Sequence, residues 1–178
     1  MINKGYLTAK TNKESDEVFT PDYVVEKIIP YIKNFEEKKG RKIVVWCPFD
    51  ESDSAFVRVL QQHKIEVIYS HIDNGKNFFE YEPGKYDVII SNPPFSIEDG
   101  ILKRLYELDT PYAVLMPLPV LQGQKRYPYI KECQAIIFNK RINFYKDKIT
   151  KEIQKGVSFV TIFLCKDFLE KDLIFEEF

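Results

Sequence analysis

A chain of 178 residues, 44% of them hydrophobic, can form one substantial core but hardly two. Its 26 basic and 27 acidic residues give a formal net charge of -1, which excludes a global electrostatic attraction to nucleic acid. The three cysteines, Cys47, Cys133 and Cys165, lack the spacing of metal ligands and are typical of buried thiols in a reducing compartment. Neither a bilayer-length apolar run nor a signal peptide is visible, so the sequence predicts a cytoplasmic protein without a membrane partner.

Predicted helices and strands alternate along most of the chain. Polar residues 1–16 are expected to form a flexible arm, and residues 17–178 a single domain. Helical spacing of apolar residues predicts a first helix in TPDYVVEKIIPYIKNF. The next elements are strand RKIVVWC, helix SDSAFVRVLQQH, strands KIEVIYSHI and YDVIIS, helix DGILKRLYEL and strand YAVLMPL. Such alternation predicts an α/β fold with a mostly parallel sheet flanked by helices.

The pattern changes in the last third of the chain. Three strand-like segments follow with little helix between them: QAIIFN, NFYKD and VSFVTIFLCKDF. We therefore expect the sheet to end in an antiparallel edge, with its last strand at about residues 158–165.

In a sheet of this kind, ligands bind in the crevice beyond the carboxyl ends of the strands. Four loops that follow predicted strands are rich in polar or ring-bearing residues: CPFDESDS, HIDNGKNFF, SNPPFS and PLPVLQGQKR. Ordinary turn formation explains the Pro and Asp residues of any one loop. Their shared position at one edge of the sheet favours a binding site.

The segment DVIISNPPFS ends an apolar strand with a polar side chain and two prolines. The Asn92 side-chain oxygen and a proline carbonyl can both accept hydrogen bonds from one exocyclic amino group, and the rigid Pro93 and Pro94 keep these acceptors together. Phe95 is suited to stacking on a planar base, a contact of roughly 1 to 3 kcal/mol. These residues favour recognition of an amino-bearing nucleobase, while a proline-rich strand end is the purely structural explanation.

With YDVII before it, SNPPF resembles the catalytic motif of S-adenosylmethionine-dependent amino-methyltransferases, particularly the N6-adenine enzymes of bacteria and phages. The resemblance covers roughly residues 17–165 and implies a Rossmann-like methyltransferase fold. It also implies a catalytic site formed by Asn92, Pro93, Pro94 and Phe95.

Three other segments are similar to parts of this family in the same order. FTP, at Phe19, Thr20 and Pro21, resembles the motif beside the methionine part of the cofactor. GKNFFEY resembles the loop that contacts the cofactor adenine, which implies this role for Asn77 and Phe78. KRINFY and GVSFVTIFL are similar to the Arg-containing segment and last strand of small phage adenine methyltransferases.

The loop after the first strand departs from the family pattern. WCPFDESDSAF contains no glycine, although close approach of the backbone to the cofactor favours glycine there. Cys47 occupies a position where an acidic residue is common. The cofactor-binding candidates in this part of the chain are Asp50, Ser52 and Asp73, with Asp53 as a further carboxylate or a helix cap. Cofactor binding is therefore intact, unusual or lost.

A basic region lies between Leu121 and Lys155, where nine basic residues stand against three acidic ones and aromatic residues are interleaved. This composition suits phosphate contacts and base stacking, although a solvated basic face explains it equally well. The substrate-binding candidates are Lys125, Arg126, Lys140 and Arg141. A target adenine would have to leave its stack to reach Asn92.

Two functions from different classes fit these observations. The first is transfer of a methyl group from S-adenosylmethionine to the N6 amino group of adenine in DNA or RNA. The second is a catalytically inactive methyltransferase-like protein that binds nucleic acid or protein, which the glycine-free loop favours. A nicotinamide-nucleotide site is disfavoured because no glycine-rich turn of the required pattern is present, and no metal site is predicted.

Overall fold

The computed structural model describes residues 18–154 and 160–178. The helices within these ranges are α1 (Asp22–Glu26), α2 (Ile29–Lys39), α3 (Ala55–Gln62), α4 (Glu98–Leu108) and α5 (Tyr127–Ile130). The strands are β1 (Val44–Cys47), β2 (Glu66–Tyr69), β3 (Val88–Ser91), β4 (Tyr112–Pro117), β5 (Gln134–Phe138), β6 (Thr161–Lys166) and β7 (Leu173–Glu176). The predicted arm of residues 1–16 lies outside the described residues.

These seven strands form one mixed sheet with the order β2-β1-β3-β4-β6-β5-β7. Strands β1 to β4 are mutually parallel where they pair, and β6 runs antiparallel to both β4 and β5. The predicted α/β fold with a mostly parallel sheet and an antiparallel C-terminal strand is thus confirmed. The expected position of that strand at the edge is wrong, because β5 and β7 extend the sheet beyond β6.

Successive residues of the central strands enter two different hydrophobic clusters. On β1, Val45 and Cys47 pack with residues of α1, α2 and α3, whereas the fully buried Trp46 packs with residues of α4. Because neighbouring side chains of a strand point to opposite faces, the two clusters lie on opposite sides of the sheet. Helices therefore cover both faces, and the edge at the carboxyl ends of the strands stays accessible to ligands. No helix in the described part of the chain combines the length and apolar character that crossing a bilayer requires.

The first predicted helix is divided into α1 and α2 in the structure. The break falls at Lys27 and Ile28, just before Pro30 in the first turn of α2. Proline has no N–H to donate and its ring clashes with the carbonyl four residues earlier, so a helix restarts at such a residue rather than continuing. The single-helix prediction followed the apolar spacing and ignored this constraint.

Two further differences concern the C-terminal third. The segment NFYKD forms no strand, and Tyr145 within it makes isolated antiparallel bridges with Phe19 and Ile153. Strand β7 was not predicted, because Leu173–Glu176 is a short segment beside several charged residues. Its pairing with β5 is a long-range contact that local sequence does not encode.

Candidate functional site

A cavity of about 780 Å³ opens beyond the carboxyl ends of β1, β2 and β3. This volume is within the usual range for small-molecule and cofactor sites. The structure brings together predicted residues from four separate segments, and those that line the cavity are Phe19, Thr20, Asp50, Asp73, Asn77, Phe78, Asn92, Pro93 and Pro94. Their convergence follows from parallel strands that end at one edge of the sheet.

Asp50 is the buried carboxylate among the acidic residues of the loop after β1 that line this cavity. Its side chain is buried and accepts a hydrogen bond from the Ser91 hydroxyl at the end of β3. Burial raises the pKa of Asp50 to about 6, although hydrogen bonds from Ser91 and Ser54 and the nearby His71 act in the opposite direction. The backbone N–H of Asp50 donates to the Ser70 carbonyl at 3.2 Å, which fixes the loop to the end of β2.

Cys47 does not replace the acidic residue that the resemblance leads one to expect at the end of β1. The thiol is fully buried, and burial raises its pKa well above the ordinary value. It stays neutral, and Asp50, three residues later, supplies the negative charge at this end of β1.

Asn92 carries an unusual polar atom. Among the side-chain nitrogen and oxygen atoms of the described residues, its Oδ1 is buried without a hydrogen-bond partner. An unsatisfied buried acceptor costs about 1–3 kcal/mol, so such atoms are rare in folded proteins. Pro93 is buried beside it, and Pro94 has extended backbone angles, φ -62° and ψ 127°. Asn92 is thus a cavity-lining residue whose side chain carries a buried acceptor with unused hydrogen-bonding capacity, next to two rigid prolines.

The loop after β2 supplies the opposite wall. The Phe78 ring is buried, with its centroid 4.8 Å from that of Phe49 and 5.6 Å from that of Trp46. Asn77 Oδ1 accepts a hydrogen bond from the Phe79 N–H at 3.1 Å, which fixes the turn. Asp73 is exposed at the rim, where its N–H donates to His71 Nδ1 at 3.3 Å.

Three predicted site residues occupy other positions. Pro21 is buried at the start of α1, and Ser52 is exposed outside the cavity lining. Phe95 is partly buried, and its ring meets Phe144 edge to face at a centroid distance of 6.3 Å. Ser54, rather than Asp53, caps α3, because its hydroxyl accepts from the Val57 N–H at 3.3 Å.

None of the four predicted substrate-binding cations is among the cavity-lining residues. Arg126 forms ion pairs with Glu98 and with Asp99, the latter at 2.6 Å, and thereby joins α4 to the start of α5. Lys140 Nζ lies 6.0 Å from the centre of the Phe178 ring, while Lys125 and Arg141 are exposed. The cations that the cavity lining does contain are Arg58, Lys148 and Lys151.

Residues 144–154 form a hairpin-like segment that the sequence did not reveal as part of the site. Phe144 is buried and contacts Phe95, and Tyr145 exchanges two backbone hydrogen bonds with Phe19 at 2.8 and 2.9 Å. Lys148 forms ion pairs with Asp53 at 2.6 Å and with Glu51 at 3.5 Å. The segment therefore contacts the FTP motif, the NPPF motif and the glycine-free loop.

The sequence matches no model of a known protein family and no curated protein. The fold is similar to that of the methyltransferase subunit of a type I restriction-modification system from Streptococcus thermophilus, with a TM-score of 0.54 and 13% identity. This match covers 89% of the present chain and 46% of that subunit, so the chain spans less than half of its length.

Two other methyltransferases of known structure are similar with lower TM-scores. A dimethyladenosine transferase from Plasmodium falciparum has a TM-score of 0.47 at 10% identity, covering 84% of this chain and 62% of its own. The plantazolicin methyltransferase BpumL, solved with SAH, has a TM-score of 0.44 at 9% identity, covering 92% of this chain and 93% of its own. The similarity to the Streptococcus subunit, together with the sheet topology, shows that this chain has a methyltransferase-like Rossmann fold.

Proposed function

We propose that this protein transfers a methyl group from S-adenosylmethionine to the N6 amino group of adenine in DNA or RNA. The observation that carries the proposal is the buried, unpartnered Oδ1 of Asn92, a residue that lines the cavity. An exocyclic amino group supplies the hydrogen-bond donor that this atom lacks, and the cavity is large enough for a nucleoside-sized ligand.

The cavity offers suitable partners for each part of the cofactor. When bound, S-adenosylmethionine supplies a methyl group on a positively charged sulfur. Asp50 is suited to the ammonium group of its methionine part, near Phe19 and Thr20, since a buried carboxylate gains most from a cationic partner. Asp73 at the rim is suited to ribose hydroxyls, and the loop at Asn77 and Phe78 to the adenine end.

The residues of the NPPF motif act by positioning. Asn92 Oδ1 and the Pro93 carbonyl accept hydrogen bonds from the two N–H groups of the target amine, which leaves the nitrogen lone pair free to attack. The amine nitrogen would form a bond to the methyl carbon as the bond between that carbon and the sulfonium sulfur breaks, and the proton that the nitrogen then loses would pass to solvent through the open mouth of the cavity. No general base is assigned, because orientation and electrostatic stabilisation account for large rate enhancements without one.

The loop after β1 is the observation that favours a second candidate function, ligand binding without turnover. Phe49, Glu51 and Asp53 present full side chains at the cavity where the family resemblance implies glycine. A displaced cofactor would leave the sulfonium methyl out of line with Asn92, and displacement of about 1 Å is enough to lower rates a hundredfold.

Methyl-transfer assays with matched variants separate the two functions. Asn92→Ala removes the acceptor but leaves the two prolines, so labelled-methyl transfer to mixed DNA and RNA should fall by about 10²- to 10³-fold. Its affinity for S-adenosylhomocysteine should change little in calorimetric titrations. The control is Asn34→Ala, an exposed asparagine on α2 outside the cavity, which should methylate like the parent.

Analysis of the product nucleosides identifies N6-methyladenosine in either sugar form. If Asn92→Ala transfers methyl groups as fast as the parent, the catalytic assignment is wrong. A parent protein that binds both cofactor and nucleic acid but never methylates would establish the binding function instead.

A further inference from the structure

Most of the positively charged side chains that line the cavity are paired with carboxylates of the protein. Arg58 pairs with Asp22, and Lys148 pairs with Asp53 and Glu51. Lys151 also lines the cavity, but within the residues that the structure describes it forms no ion pair with a carboxylate. It is therefore the lining cation that remains available to an anionic group from outside the protein.

Hydrogen bonds hold the backbone around Lys151 in a defined turn. Asp147 Oδ1 accepts hydrogen bonds from the N–H groups of Ile149 at 2.9 Å and Thr150 at 2.7 Å, and the Lys151 N–H donates to the Asp147 carbonyl at 3.0 Å. Lys151 itself adopts a left-handed conformation with φ 54°, which a lysine rarely adopts. A hydrogen-bonded turn thus gives the backbone of Lys151 a defined place beside the cavity.

This turn is at the rim of the cavity and not at its floor. Ile149, at the tip, is 84% exposed, and Lys151 is exposed as well. The floor, by contrast, is formed by the buried Asp50 and Pro93. A ligand bound in the cavity therefore meets Lys151 with the part that emerges from the mouth.

We propose that Lys151 binds a backbone phosphate of the nucleic-acid strand whose adenine enters the cavity. This inference rests on the proposed function. It assigns the contact with the substrate strand to a lysine that is not one of the four substrate-binding residues predicted from the sequence. When a base occupies the cavity, its sugar and phosphates remain at the mouth, where an exposed ammonium group can reach them. Lys148 is unsuited to this role because it is already paired with two carboxylates of the protein.

The charge-neutral variant Lys151→Gln tests this contact, and Lys64→Gln is its matched control. Lys64 is also exposed and also has a left-handed backbone, φ 58°, but it precedes β2 at the amino end of that strand and lies outside the cavity lining. The probe is a fluorescein-labelled single-stranded oligonucleotide of mixed sequence, prepared as DNA and as RNA. Fluorescence anisotropy measures its affinity over a series of salt concentrations.

A plot of log affinity against log salt concentration has a negative slope. Loss of one phosphate contact to a single strand should make this slope shallower by about 0.7. We expect this change for Lys151→Gln and the parent slope for Lys64→Gln, with unchanged thermal unfolding in both. Equal slopes for Lys151→Gln and the parent would overturn the proposal, as would a parent that binds neither oligonucleotide.

Calorimetry with S-adenosylhomocysteine separates two sources of the anion. If Lys151→Gln lowers the affinity for S-adenosylhomocysteine and leaves the salt slope unchanged, Lys151 binds the carboxylate of the cofactor and the phosphate assignment is wrong. If Lys151→Gln makes the salt slope shallower but the parent shows no methyl transfer, the phosphate contact is supported and the proposed methyltransferase activity alone is wrong.

Discussion

Replacing Asp50 with Asn tests the central electrostatic feature of the cavity. The substitution preserves the shape of the side chain, and its amide oxygen can still accept a hydrogen bond from Ser91. It removes the negative charge that the protein holds in a buried position. Asp50→Asn should therefore stabilise the ligand-free protein and weaken binding of any ligand that presents an ammonium group.

The size of the effect follows from the pKa of Asp50, which burial raises from 3.8 to about 6. Each pKa unit corresponds to about 1.4 kcal/mol, so ionised Asp50 destabilises the folded protein by about 3 kcal/mol. Below the unfolded pKa the carboxyl is protonated in both states and this cost is absent. It grows as pH rises from 3.8 and is complete once pH exceeds the folded pKa of about 6.

Urea unfolding of the parent and of Asp50→Asn between about pH 4 and about pH 8 measures this difference directly. The free energies of unfolding should be similar at the acidic end, and the variant should gain about 3 kcal/mol toward neutral pH. Parallel pH profiles would refute the reasoning, because they would mean that Asp50 titrates alike in both states. Ser96→Ala, which removes an exposed hydroxyl group and changes no charge, serves as the control.

Three further predictions concern the elements around the cavity. Phe95→Leu keeps most of the apolar volume and should retain the fold. Because the ring is expected to stack on the target base, catalytic efficiency should fall about tenfold. An unchanged efficiency with a lowered Tm would assign the ring to packing alone. Lys148→Met should speed hydrogen exchange at the amides of residues 144–154. A double-mutant cycle with Asp53→Asn should give a coupling free energy of about 0.2–1 kcal/mol for unfolding, and a coupling of zero would contradict the ion pair. Ser91→Ala removes a bond that favours ionised Asp50, so the pKa of that carboxyl, followed by NMR, should rise; a fall would contradict this.

Sequence alone predicted the central part of the fold because its signals are local. Each of β1, β3 and β4 is a short apolar run whose residues are almost all buried, and each is followed by a turn of polar or proline residues. Because parallel strands end at one edge, this pattern also placed Asp50, Asn77 and Asn92 around the same cavity. The order of the strands β6, β5 and β7 depends on long-range pairing and was not predictable in this way.

The four predicted substrate-binding cations lie outside the lining of this cavity, which composition alone did not indicate. Arg126 belongs to a charge-rich segment, yet Glu98 and Asp99 occupy its guanidinium group, and both residues are more than 25 positions away in sequence. Lys151 belongs to the same basic region but lines the cavity, because the turn at Asp147 directs it there. Charge density along a chain does not distinguish a paired cation from an available one, whereas three-dimensional contacts do.

The contacts of the glycine-free loop also bear on the choice between an enzyme and a binding protein. Glu51 and Asp53 are directed toward Lys148, and the hydroxyl of Ser54 caps α3. These polar side chains thus have partners at the wall, and a cavity of about 780 Å³ remains in front of the loop. Lys148 offsets part of the negative charge of these two carboxylates and so weakens the repulsion that the loop exerts on the carboxylate of a methionine-bearing ligand. Without glycine, the backbone of this loop cannot approach a cofactor closely, but the side chains of the loop do not fill the cavity. The arrangement is compatible with cofactor binding through the side chain of Asp50.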